Sequence, residues 1–183
     1  MKIDIPGWVE ENAHFSDARH RVWLRRRLAM FGVPVGFILH NPSRAGLVEN
    51  DATVRRGVSF AACIGASDLI FVNAATGVAT NADDLAAMDD PIGPMADEAL
   101  QVAAEFCLSR GGMLIAAWGT PKGKAKTRRL MDARFGDILR LGLPLHVLRI
   151  TESGYPEHPL RLPGDLRPQP WDYSIPDMNT RLA

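Results

Sequence analysis

Only two cysteines, Cys63 and Cys107, occur in 183 residues, and neither has a second cysteine or a histidine at metal-ligand spacing. A disulfide framework and a zinc knuckle are thereby excluded, and both thiols read as core groups in helical segments. No apolar stretch approaches the ~20 residues that cross a bilayer, and the N-terminus is polar. A soluble protein of the reducing cytoplasm, with no membrane partner, is the expectation. An excess of one charge is missing too. Lys plus Arg and Asp plus Glu both number 21, so no global field draws the chain onto duplex nucleic acid. Any nucleic-acid contact has to be local. Internal repeats and low-complexity segments are also absent.

What is present is enough apolar residue, 46%, for a substantial core, and a single domain over residues 1–183 is expected. Its core spans about residues 15–150, and the proline- and glycine-rich segment 151–183 packs over it as an ordered tail. Four short apolar runs, "VGFILH", "DLIFVNA", "GMLIAAWG" and "PLHVLRI", are continuous rather than alternating, which suits strands buried on both faces. Helical patterns lie between them. Thr53 is placed to cap "VRRGVSFAACIGA" and Asn81 to cap "ADDLAAM"; "MADEALQVAAEFCLSRGG" and "KAKTRRLMDARFGDILRLG" follow. An opening helix is expected over "SDARHRVWLRRRLAMFG". The resulting order predicts a three-layer α/β/α sandwich around a mainly parallel four-stranded sheet.

Ligands of open parallel sheets bind beyond the carboxyl ends of the strands. Those ends carry Asn41-Pro42-Ser43, Asn73 to Thr76, Trp118-Gly119-Thr120, and Ser153 with Tyr155 leading to His158. Ser43, Thr76 and Thr120 also suit ordinary turns and caps. Asn41 precedes a proline, which holds it out of the helical region. Its carboxamide serves either to orient a water or ligand edge, or to brace the loop. Arg55 and Arg56 fall in a first helical turn, where the dipole disfavours cations. Either they pair with Asp51 or Glu49, or a guanidinium holds an anion in the crevice.

"GTPKGKAKTRR" is not a phosphate-binding P-loop, because three residues rather than four separate Gly119 from Gly123 and Ala125 stands where Ser or Thr should be. Lys122, Lys124 and Arg128 still form a basic run on the crevice side, as a solvated face or a phosphate contact. His146 reads as a core side chain, whereas His14 and His20 lie near the exposed opening helix. His40 ends a strand. His158, between Pro156 and Pro159, is stiffened either to brace its loop or to donate to a developing negative charge. No G-x-S-x-G, H-x-E or H-E-x-x-H pattern occurs, and no cofactor or metal is expected.

"HNPSRAG", "DATVRRGVSFA", "LIFVNAATGVAT", "DDPIGP", "AAWG" and "TESGYPEHPLRLP" together resemble the bacterial and phage domain of unknown function 1643, from about Phe15 to Trp171. His40 stands where that family commonly has an apolar residue, and Arg44-Ala45-Gly46 where it commonly has Thr-Ala-Asp, so Asp51 would have to supply the acidic group. An Asn-Pro turn after the first strand and a His-Pro loop after the last are also similar to the two motifs of the uracil-DNA glycosylase superfamily. That resemblance implies a glycosylase-like fold in which Asn41 orients water and His158 stabilises charge on the departing base. For such chemistry Asn73 suits the base edge and Trp118 or Tyr155 a stacking face, with ordinary core as the alternative for Trp118. Two functions are therefore expected as alternatives. One is an N-glycosidic hydrolase acting on a nucleotide or on a base in single-stranded or flipped-base DNA. The other is a non-catalytic module that binds a base or nucleotide.

Overall fold

Asp17 closes the first turn of the fold: its carboxylate accepts the backbone N–H of Arg19 at 2.7 Å. This Asx-type bond makes a two-residue link between β1 (Ala13–Asp17) and β2 (His20–Arg27), which pair antiparallel. The helix expected over residues 16–32 is thus a hairpin. Val22, Trp23, Leu24 and Leu28 match a helical spacing, yet Trp23 and Leu24 enter cores on opposite faces, as in a strand.

The computed structural model describes residues 4–43 and 50–173. After the hairpin come β3 (Pro34–Leu39), α1 (Ala52–Cys63), β4 (Asp68–Asn73), α2 (Ala82–Ala86), α3 (Ala96–Leu108), β5 (Met113–Ala116), α4 (Ala125–Arg140), β6 (Leu145–Val147) and β7 (Gln169–Pro170). The fold is mixed α/β, with one sheet ordered β1-β2-β4-β3-β5-β6-β7. The four apolar runs form the parallel centre, β4-β3-β5-β6. The expected four-stranded sheet has seven strands among the described residues, because the hairpin joins antiparallel at β4 and β7 joins antiparallel at β6.

Alternate residues of the parallel strands feed two cores. Ile38, Ile70, Val72 and Leu114 pack with α3 and α4, while Phe37, Leu39, Phe71 and Ile115 pack with α1. Gly57 lets α1 lie close to the sheet, since a Cβ there would come within 2.4 Å of the Phe71 ring. Asp51, not Thr53, caps α1: its Oδ1 accepts the Val54 N–H at 2.8 Å. Asn81 caps α2 as expected, accepting from the Asp83 N–H. Cys107 is a core thiol, pushed up to about 12 by burial. Cys63 instead lies exposed at the end of α1, contrary to its expected place in the core. In the C-terminal segment Leu162 is buried in the α1-side core and the Trp171 N–H donates to Leu145 O at 2.9 Å. No described helix is long and apolar enough to cross a membrane.

Candidate functional site

β2 contains a bulge that the site depends on. His14 pairs with Trp23, but the next residue, Phe15, pairs with Arg21, so Val22 is an extra residue. Val22 and Trp23 consequently share one core, and Arg21 is turned to the other face of the sheet. There it joins Leu39, Val54 and Phe71 in the wall of a cavity of about 180 Å³. The cavity lies at the carboxyl ends of β3 and β4, where ligands of open parallel sheets bind.

Asn41, Ser43, Asp51 and His158 all line this cavity, with His40, Thr53, Ala79 and Thr80. Four loops or helix ends distant in sequence therefore meet at one place. Asn41 is held firmly. Its Nδ2 donates to Ala79 O at 2.8 Å, Pro42 O at 3.0 Å and, more weakly, Gly77 O at 3.4 Å. Its Oδ1 faces His40 Nδ1 at 3.0 Å and keeps one lone pair. The carboxamide thus braces the β3 and β4 loops while retaining one acceptor site. Buried Pro42 contributes its carbonyl to that brace, which also receives the Ala79 N–H.

His158 caps a 3-10 turn over Pro159–Arg161. The Leu160 N–H donates to its Nδ1 at 3.3 Å, so the neutral ring carries its proton on Nε2. Burial, then Lys122 and His40, push the imidazole down to about 4 against the opposing pull of Asp51. It is a neutral hydrogen-bond donor at pH 7. Gly119 makes this loop possible: its φ is 73°, its N–H donates to Pro156 O at 2.8 Å, and a Cβ would lie 3.3 Å from that of His158.

Asp51 holds α1 with one oxygen and accepts the Ser43 hydroxyl with the other. Arg21 is pushed down to about 10 by burial, with Asp51 opposing, so it stays charged at neutral pH. The helical reading of residues 16–32 hid Arg21 because only strand pairing reveals the bulge. His40 was visible as a strand end, but not as half of a pair with Asn41.

Other residues singled out in the sequence lie elsewhere. Arg55 is exposed and donates to Asn50 O; Arg56 donates to Leu162 O and lies 4.9 Å over the Phe60 ring. Neither bonds to Asp51 or lines the cavity, and Glu49 and Arg44-Ala45-Gly46 fall outside the described residues. Trp118 is core, stacked on Phe135 at 5.0 Å. The Tyr155 hydroxyl donates to Asp132 on α4 at 2.6 Å. Ser153 is in an exposed turn with Thr120 and Thr151. Lys122 acts on both His40 and His158, while the Lys124 N–H donates to Asp83 and Arg128 donates to Gly123 O. Asn73 shares the Phe71 face of β4. Its carboxamide is fully buried with no hydrogen-bond partner on either atom among the described residues. His146, expected as a satisfied core side chain, is half-buried with Nδ1 unpartnered. No group of three or more His, Cys, Asp or Glu among the described residues is placed to hold a metal.

Residues 21–160 match the family described as a protein of unknown function (DUF1643). The chain belongs to that family. The DUF1643 match begins at Arg21 and contains every residue of the cavity wall. No curated protein and no solved structure matches the chain.

Proposed function

We propose that this DUF1643 protein binds a single nucleobase, carried by a nucleotide or flipped from DNA, and hydrolyses its N-glycosidic bond. The observation that carries the reading is the convergence of Asn41 and His158 on one cavity, with His158 Nε2–H fixed as a neutral donor. Glycosidic cleavage leaves negative charge on the departing base, and a rigid donor in a desolvated site stabilises it. A cavity of about 180 Å³ suits one small ring, well below the ~300–1,000 Å³ of pockets for larger ligands. The same convergence supports a uracil-DNA-glycosylase-like, three-layer arrangement.

The second reading, a binding module without catalysis, is favoured by Asn41 itself, whose Nδ2 is committed to backbone carbonyls. Uracil-, hypoxanthine- and modified-base-containing single- and double-stranded DNA and free nucleotides, scored for released base, separate the two. Release that falls ~10²–10³-fold in His158→Ala supports hydrolysis. No release, with ligand-dependent thermal stabilisation that His158→Ala abolishes, supports the module. Neither release nor stabilisation overturns both.

A further inference from the structure

His40 and Trp118 carry complementary polar atoms that no described residue satisfies. β3 and β5 pair in parallel with Ile38 opposite Ala116, so His40 and Trp118 follow two residues later at the ends of neighbouring strands. Both rings lie on Phe135, His40 edge-on at 5.7 Å and Trp118 stacked at 5.0 Å. Trp118 Nε1 is buried without a partner, and an indole N–H only donates.

His40 Nε2 is likewise buried without a partner. Its protonation follows from the other ring nitrogen. Both amide protons of Asn41 go to carbonyls, so the atom 3.0 Å from His40 Nδ1 is the Asn41 oxygen, and Nδ1 must supply the proton. A neutral ring with Nδ1–H presents a bare lone pair at Nε2. Burial, together with Lys122, holds the imidazole below its ordinary pKa and keeps that lone pair available at neutral pH.

We infer that His40 Nε2 and Trp118 Nε1–H together hold one oxygen, of water or a ligand hydroxyl, and that His40 is the general base that takes its proton. An oxygen that accepts from Trp118 and donates to His40 satisfies both atoms at once. Asp51 is a poorer base here, since one carboxylate oxygen receives the Val54 N–H and the other the Ser43 hydroxyl.

The catalytic part rests on the glycosidic reading. The held water oxygen bonds to the anomeric carbon as the carbon–nitrogen bond breaks, and that bond's electron pair leaves with the base, which His158 Nε2–H meets. The water proton passes to His40 Nε2; Asn41 Oδ1 supports the resulting imidazolium, which then returns its proton to solvent.

Three measurements test this separately. Histidine ¹⁵N spectra of the full chain read the tautomers without any substrate: His40 as Nδ1–H and His158 as Nε2–H are expected. A high-resolution crystal structure should place an oxygen within hydrogen-bond distance of both His40 Nε2 and Trp118 Nε1. The Nε2–H tautomer at His40, or protein atoms closing both positions, overturns the site whether or not any base is released. His40→Phe should fold and keep nucleobase-dependent thermal stabilisation, while losing ~10²-fold or more in kcat with KM little changed. If the wild type releases base and His40→Phe releases it equally fast, His40 is not the base, although the glycosidic reading survives. Release from no substrate removes that reading and the catalytic role together, leaving the spectra and the crystal structure to decide the oxygen site.

Discussion

The backbone N–H of Leu160 donates to Nδ1 of His158, and this bond decides which face of the imidazole the cavity meets. Protonating this ring is costly, because it is desolvated and stands near Lys122 and His40. In the unfolded chain the same group titrates near ~6.5, whereas in the folded protein it titrates at about 4. The unfolded state therefore binds the proton first, and stability rises with pH between those values. His158 contributes fully above ~pH 6.5, and the contribution is lost as pH falls towards 4. Thermal unfolding from pH 7.5 to 4 should show this decline, with a shallower slope in His158→Asn, which keeps a capping acceptor. An identical slope in both proteins would refute the assignment.

Asn41→Ala should cost about 1–3 kcal/mol in urea denaturation, because buried acceptors and His40 Nδ1 lose their partner. Asn41→Asp loses the same donors but keeps an acceptor for His40. It should be comparably destabilised while raising the His40 pKa, readable by NMR. A wild-type midpoint for Asn41→Ala would mean that the loop brace contributes nothing.

Asp51→Ala should destabilise by about 0.5–2 kcal/mol through loss of the α1 cap. Asp51→Ser, which also caps helices, should recover most of that in the same denaturation experiment. Failure to recover would assign the effect to the Ser43 contact rather than to the cap.

Asn73→Leu removes a buried carboxamide with no partner, and the ligand-free protein should be as stable as wild type or more so, by up to about 1–3 kcal/mol. Thermal stabilisation by a nucleobase should persist in the same variant, because Asn73 does not line the cavity. Destabilisation of the free protein would instead show that the amide is satisfied internally.

The four parallel strands were legible because a strand covered on both faces has to be continuously apolar, as "GFIL" and "LIFV" are. Asn41, Ser43 and His158 could be nominated for the same reason: they follow such runs, and strand ends converge in an open sheet. The hairpin was not legible, because Val22, Trp23, Leu24 and Leu28 satisfy a helical spacing as well as a strand. The Asx-type bond that rejects the helix is a single carboxylate at Asp17.

The apolar runs, proline-stiffened loops and balanced charge of the chain determined a parallel α/β centre and the side chains at its ends, since those are properties of local period and composition. Tertiary structure decided the rest. Val22 is a bulge only when β1 lies beside it, Arg21 reaches the cavity only through that bulge, and His40 becomes a lone-pair acceptor only because the Asn41 amide is already anchored by the β4 loop. Register and tautomer depend on partners brought from elsewhere in the chain, and no local pattern encodes them.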